Sequence, residues 1–222
     1  MRSIVSTLAK LFLGVAVVLC GADRADAAEP PSLAHGGFVR RSTAEHTFTA
    51  DDRARLGELG LAKLSSAAVI LRKIPRSDGP RQLARLEALA RSPEGFAPSG
   101  ACDEMVAQGE ANALCSGRVA GPMGDVPVRM PVAAKLTRGP DGSMHLSLSN
   151  PKPLEAKPLF SWSSVVSPQH LQVSYELFPD AEGWLVYVRV GVDMSAHEGS
   201  AKTISDAMLK LEAWLTRELA RT

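Results

Sequence analysis

The sequence lacks the short motifs that would name a reaction. The nucleophile elbow GxSxG does not occur. "HEGSA" at 197–201 begins like HExxH but has no second histidine, so zinc hydrolysis has no support. "GRVAGPMGD" is glycine-rich, yet its spacing fits neither phosphate-loop pattern and reads as a turn between strands. "GPDGS" offers one carboxylate where a calcium loop needs several, and it too reads as a turn. Excess charge of one sign is also missing. The 25 Lys and Arg stand interspersed against 24 Asp and Glu, which leaves no basic patch and excludes a nucleic-acid partner. There is no internal repeat and no low-complexity segment. The apolar run "LFLGVAVVLCGA" falls short of the roughly 18–20 residues that a membrane-spanning helix needs. Cysteine is scarce. No CxxC is present and no histidine lies near Cys102 or Cys115 in sequence, so a metal pair or reactive thiol lacks partners. No catalytic residue, no metal site and no cofactor is assigned.

What is present begins with a targeting segment. Arg2 and Lys10, the short apolar run and the small residues of "ADAAEPPS" are the parts of a secretory signal peptide over 1–27, cut after Ala27 with Ala25 three places before the cut. A lipoprotein anchored at Cys20 is the rival, disfavoured by bulky Leu19 where a small residue belongs. Export, to the periplasm or outside the cell, removes Cys20 and leaves Cys102 and Cys115 as an even pair in an oxidising compartment, most economically a disulfide. The mature chain carries no transmembrane helix, and at roughly 200 residues it suits a single domain with a full core. Residues 28–48 have no period and read as a flexible tail, leaving the domain at 49–222.

Two periods organise that domain. Thr49 is a plausible N-cap for a helix in "TADDRARLGELGLAKL", weakened by Gly57 and Gly60. "SSAAVILRKIP", rich in β-branched residues and closed by Pro75, favours a strand over a continued helix. Leu83, Leu86, Leu89 and Ala90 make one stripe of a short helix that Pro93 and Gly95 stop. From Asp103 to about Met194 the period becomes two, as in an antiparallel meander with one buried and one wet face. Its first hairpin is pinned by the cysteines. "GWLVYVRVGVDMS" at 183–195 is the clearest case, with Trp184, Val186, Val188, Val190 and Val192 on one face and Leu185, Tyr187, Arg189, Gly191 and Asp193 on the other. The chain ends in a helix whose face runs Ile204, Met208, Leu211, Leu215 and Leu219, with Thr203 and Asp206 resembling a capping box.

A one-sided sheet and a one-sided helix must bury each other. That order, with "WLVYVRVGVDMS" leading into "TISDAMLKLEAWLTREL", resembles the START-like superfamily: the helix-grip fold of lipid-transfer START domains, polyketide cyclases and birch-pollen-allergen relatives. The resemblance covers roughly residues 65–221. It implies an α+β domain whose curved antiparallel sheet wraps around the long C-terminal helix, with one or two short helices on the N-terminal side. It also implies a cavity between sheet and helix for a hydrophobic molecule. Two departures stand out: one clear helix follows the first strand where the family usually has two, and the helix near 51–64 is an addition.

Met130, Met144, Phe160, Trp162, Tyr175 and Trp184 are the candidate lining of such a cavity, with Val188 from the valine row and Met208 from the helix. The alternative is that these residues pack against one another as core. Arg189 on a covered face would need an acidic partner or an anionic ligand group; on an open face it is a solvated residue, the reading favoured from sequence. His145 alternates with apolar neighbours and is expected to face solvent. The expected function is an exported carrier or sensor of a lipid or other hydrophobic small molecule. The alternatives are a cyclase- or hydrolase-type enzyme that encloses a polyketide-like substrate, or a pocketless envelope protein whose surface binds another protein.

Overall fold

A computed structural model of the chain describes residues 38–42, 48–61, 64–75, 78–121, 124–157, 160–193 and 198–221. The signal segment, most of the tail, His35, His46 and His197 lie outside the described residues. Among the described residues, ten strands form one antiparallel sheet. They are β1 (Phe38–Ser42), β2 (Ser66–Pro75), β3 (Glu104–Ala107), β4 (Asn112–Gly121), β5 (Gly124–Arg138), β6 (Met144–Ser149), β7 (Leu154–Ala156), β8 (Ser163–Val166), β9 (Leu171–Asp180) and β10 (Gly183–Val192). The helices are α1 (Ala50–Gly57), α2 (Gly79–Arg91) and α3 (Glu198–Arg221), with a 3₁₀ segment at Pro93–Ser99.

The strand order is β1-β2-β10-β9-β6-β5-β4-β3, with β7 paired to β5 and β8 to β7. The meander is therefore interrupted: β6 lies beside β9, and β7–β8 is an excursion along the free flank of β5. Asn150, with no exposed surface, ties the base of that excursion. Its amide donates to the carbonyls of Ser167 (2.7 Å) and Lys152 (3.1 Å), and its oxygen accepts from the Leu171 N–H (2.8 Å). Phe38–Ser42, read from sequence as part of the tail, forms a strand on the outer flank of β2. The segment 66–75 is a strand, as its β-branched run and closing proline indicate.

The inner face carries the long alternating rows: Leu171, Val173, Tyr175 and Leu177 of β9, and Trp184 to Val192 of β10, all buried in one cluster with Met208, Leu211, Leu215 and Leu219 of α3. The terminal helix is thus the cover for the valine row, with α2 and the 3₁₀ segment beside it. The architecture is a helix-grip arrangement. α3 begins at Glu198, a turn before the Thr203–Asp206 box proposed for its start, so Thr203 lies inside it. The first turn is polar, and apolar periodicity cannot register it.

Over β2 and β10 the outer face is covered, while Lys135 and Thr137 of β5 stay exposed. Thr49 caps α1 through a capping box with Asp52: the Asp52 N–H donates to Thr49 Oγ1 (3.1 Å) and the Thr49 N–H to Asp52 Oδ2 (2.8 Å). That helix and the residues after it lay Leu56, Leu59 and Leu64 against Ala67, Val69 and Leu71 of β2 and Tyr187 of β10. Gly191 makes the approach possible, because a Cβ there would stand 2.6 Å from Leu61 Cδ1. At β2 and β10 the sheet is pressed between two layers.

Candidate functional site

Where the first half of α3 passes over β4 and β5, the packing is incomplete. A cleft of about 330 Å³ opens between Gly100–Asp103, β4, β5, β7 and α3. Small residues make the space: Gly100, Ala101, Gly117 and Ala207 bring almost no side-chain volume to its walls. Val128, Met130, Leu154 and Met208 supply apolar surface, while Asp103, Arg118, Asp206 and Lys210 bring charge. Behind it lies a void of about 20 Å³, lined by residues that include Phe96, Cys102, Met105, Leu148, Leu171 and Leu211. That is room for one water-sized body, and so apolar a void stays dry. Ala101, Met130 and Met208 line both spaces. Two unbranched thioethers in the partition can re-pack at little cost.

The Cys102–Cys115 disulfide (Cα–Cα 5.6 Å) stands in the same wall, with Cys102 on the void and Cys115 on the cleft. It fastens the loop after the 3₁₀ segment to β4, where Met105 pairs with Cys115 in register.

Of the eight side chains expected to line a cavity, the structure brings Met130 and Met208 together here. Val188 has no exposed surface and is core. Tyr175 is buried beneath α3, its hydroxyl 3.0 Å from Thr216 Oγ1, and burial raises its pKa far above the ordinary tyrosine value. Thr216 in turn donates to Glu212 (2.9 Å), which pairs with Arg72 (3.1 Å). Trp184 donates its indole N–H to the fully buried Gln82 (2.8 Å) and, with Met144, borders a different recess beside Gly139–Gly142. Phe160 and Trp162 are corrections: Phe160 is 92% exposed and Trp162 36%. They sit on the connection between two very short strands at the flank of β5, beyond the reach of α3, and Trp162 lies over the Arg129 guanidinium at 4.3 Å. Sequence reasoning missed Asp103, Arg118, Asp206 and Lys210, whose charge reads as ordinary surface, and the small residues that leave the cleft open.

On the outer face one further expectation is reversed, for Arg189, and another is half met, for half-buried His145. Arg189 is 6% exposed, not solvated. It forms ion pairs with Glu176 of β9 and with Glu58 at the end of α1, and donates to Ser174 Oγ (3.2 Å) and to the Arg55 carbonyl. Its guanidinium and that of Arg55 lie 5.7 and 5.6 Å from the Tyr187 ring. His145 is drawn into the same cluster, its Nε2 3.0 Å from Ser174 Oγ, which donates to Glu176 (2.8 Å). Burial holds its imidazole below the ordinary histidine pKa. Both carboxylates bind the arginine, which ties β9 and β10 to the end of α1, while Arg189 Nε and the Tyr187 hydroxyl are buried without a hydrogen-bond partner.

Among the described residues, no group of three or more His, Cys, Asp or Glu is placed to hold a metal ion, and no helix is long and apolar enough to cross a membrane. No protein-family model matches the chain, and no curated protein matches it. Among solved structures, it is similar to a STAR-related lipid transfer protein (fragment 25–204) from Xanthomonas axonopodis. The two share 12% identity at a TM-score of 0.43, over 72% of this chain and 89% of that one. At that level the likeness says nothing of a ligand for this chain.

Proposed function

We propose that the protein is exported and carries a lipid or other hydrophobic small molecule in the cleft between α3 and β4–β5. The observation that carries this reading is the pairing of an apolar floor, Val128, Met130, Leu154 and Met208, with a charged border in an opening of about 330 Å³. Ligand pockets of roughly 300–1,000 Å³, apolar with a few polar groups, are the usual setting for small-molecule binding. The guest's apolar end faces the two methionines, and their displacement extends the site into the void behind them. Export rests on the N-terminal signal pattern and fits the disulfide in the cleft wall.

Native mass spectrometry on protein recovered from the periplasm, with solvent extraction of bound material, tests the reading. A reproducible hydrophobic adduct is expected. Ala207→Trp, which fills the opening from its half-buried wall, should abolish the adduct while the protein stays folded by near-UV circular dichroism. A bare protein after incubation with mixed lipids overturns the proposal, as does an adduct that Ala207→Trp leaves in place.

A further inference from the structure

The walls of the cleft fix how deep a guest can go. Met130 and Met208 line both the cleft and the void of about 20 Å³ behind it, so they form the partition at the inner end. Beyond that void the packing is closed. Phe96 is buried edge-on against Trp214, with ring centroids 6.0 Å apart. Leu171 is buried too, its N–H held by Asn150 Oδ1 at 2.8 Å. The Cys102–Cys115 disulfide fastens the wall to β4. The thioethers can therefore retreat only into the void, which adds room for one water-sized body.

Volume then limits the guest. A packed heavy atom takes about 20–30 Å³, so a cleft of about 330 Å³ holds roughly 11–16 of them. A lipid with two acyl chains has several times that number. Charge at the opening selects no head group of one sign, because Asp103 and Asp206 stand there with Arg118 and Lys210, and exposed Glu104 follows Asp103. Discrimination falls on the tail instead. Each methylene buried on the apolar floor tightens binding about fourfold, until the chain reaches the partition.

We propose, on the reading that the cleft carries a hydrophobic guest, that this guest is a single-chain amphiphile of about ten to twelve tail carbons, with Met130 and Met208 as the stop that sets its length. The tail lies against Val128 and Leu154 and ends on the thioethers, while the head remains at the charged border.

The test is calorimetric titration of protein recovered from the periplasm with lysophosphatidylcholines, from hexanoyl to palmitoyl, each below its micelle concentration. Didecanoyl phosphatidylcholine keeps the head group and adds a second tail. Affinity should rise about fourfold per carbon up to about the dodecanoyl chain and then level, with the two-tailed lipid about tenfold or more weaker than the decanoyl compound. Met208→Ala joins the void to the cleft, and the break should move longer by about three carbons. Ala101→Leu fills the same inner end and should move it shorter by about three. Met144→Ala removes the same atoms beside a different recess and should leave the break in place. Near-UV circular dichroism checks that each variant is folded, and two shifts of opposite sign keep the test decisive where one variant is lost. An affinity that climbs unbroken to palmitoyl, or a two-tailed lipid bound as tightly as the decanoyl one, overturns the proposal and leaves the carrier reading standing. So does a break that neither Met208→Ala nor Ala101→Leu moves. Absence of binding at every length, in a protein whose native mass spectrum carries a hydrophobic adduct, overturns this proposal alone; without an adduct the carrier reading falls with it.

Discussion

Replacing Arg189 with methionine separates a buried ion cluster from a solvated side chain. The guanidinium lies in the centre of β10 with 7% of its side-chain surface exposed, and its two carboxylate partners differ sharply: Glu176 is 12% exposed and Glu58 54%. Methionine retains much of the packing but leaves Glu176 nearly buried, with the Ser174 hydroxyl as a donor and no cation in contact. Removing one partner of a buried pair costs about 3–5 kcal/mol, whereas an exposed pair contributes about 1 kcal/mol or less. Arg189→Met should therefore destabilise by about 3–5 kcal/mol, which lowers Tm by roughly 6–20 °C for a domain of this size. Glu58→Ala should cost about 1 kcal/mol or less. Arg189→Met combined with Glu176→Leu should recover much of the loss, because no buried charge is then left unpaired. Urea unfolding of these proteins and of Glu176→Leu alone, read as midpoint shifts at constant slope, completes the double-mutant cycle for Arg189 and Glu176. An Arg189→Met protein within about 1 kcal/mol of wild type would refute the reasoning. So would a Glu58→Ala variant as damaged as Arg189→Met.

His145 gives a pH dependence with a definite sign. Burial depresses its pKa in the folded protein, Glu176 opposes that, and Arg189 and Lys135 reinforce it, so protons bind the unfolded chain more readily below its ordinary value of 6.5. The resulting stability is present above that value, declines as pH falls through the lower folded-state pKa, and then levels off. His145→Gln should flatten that part of the curve in urea midpoints taken from about pH 7.5 to about pH 5, and an unchanged curve would remove His145 from the account. The disulfide closes a separation of 13 residues and should contribute about 3 kcal/mol. Reductant should lower the melting temperature of the native protein and leave Cys102→Ser/Cys115→Ser unaffected; a native protein indifferent to reductant would contradict it.

The inner half of the fold was legible because each side chain there obeys one period. Trp184 to Val192 alternate without a break, Met208 to Leu219 step by three and four, and the burial of both rows follows from the pattern alone. The outer layer was hidden because its pieces come from separate parts of the chain. Tyr187 and Arg189 look like a polar face until α1 is laid across them, and nothing in "VYVRVGV" points to residues 50–64 except Gly191, whose missing Cβ admits Leu61. β1 carries "FVRRS", which has no alternation, and its strand conformation comes from pairing with β2. The cleft was only half legible. Methionines can be named from sequence as adaptable lining, but a void made by Gly100, Gly117 and Ala207 is a property of which small residues meet. Phe160 and Trp162 show the converse: an apolar type does not fix an inward direction.

The pairing of β2 with β10, from Gly183↔Pro75 to Val192↔Ser66, also sets the order in which the molecule can be completed. These neighbours, one strand in from the β1 edge of the sheet, are roughly a hundred residues or more apart along the chain, a closure that is slow to find. Synthesis delivers Ala68, Val69, Ile70 and Leu71 early, and they wait uncovered until the tenth strand arrives. α1 rests partly on Tyr187, and the valine row beneath α3 belongs to that same strand. A chain halted before Gly183 lacks the strand that both layers share. The protein has no self-sufficient half, and its late strand is the keystone on which the earliest elements depend.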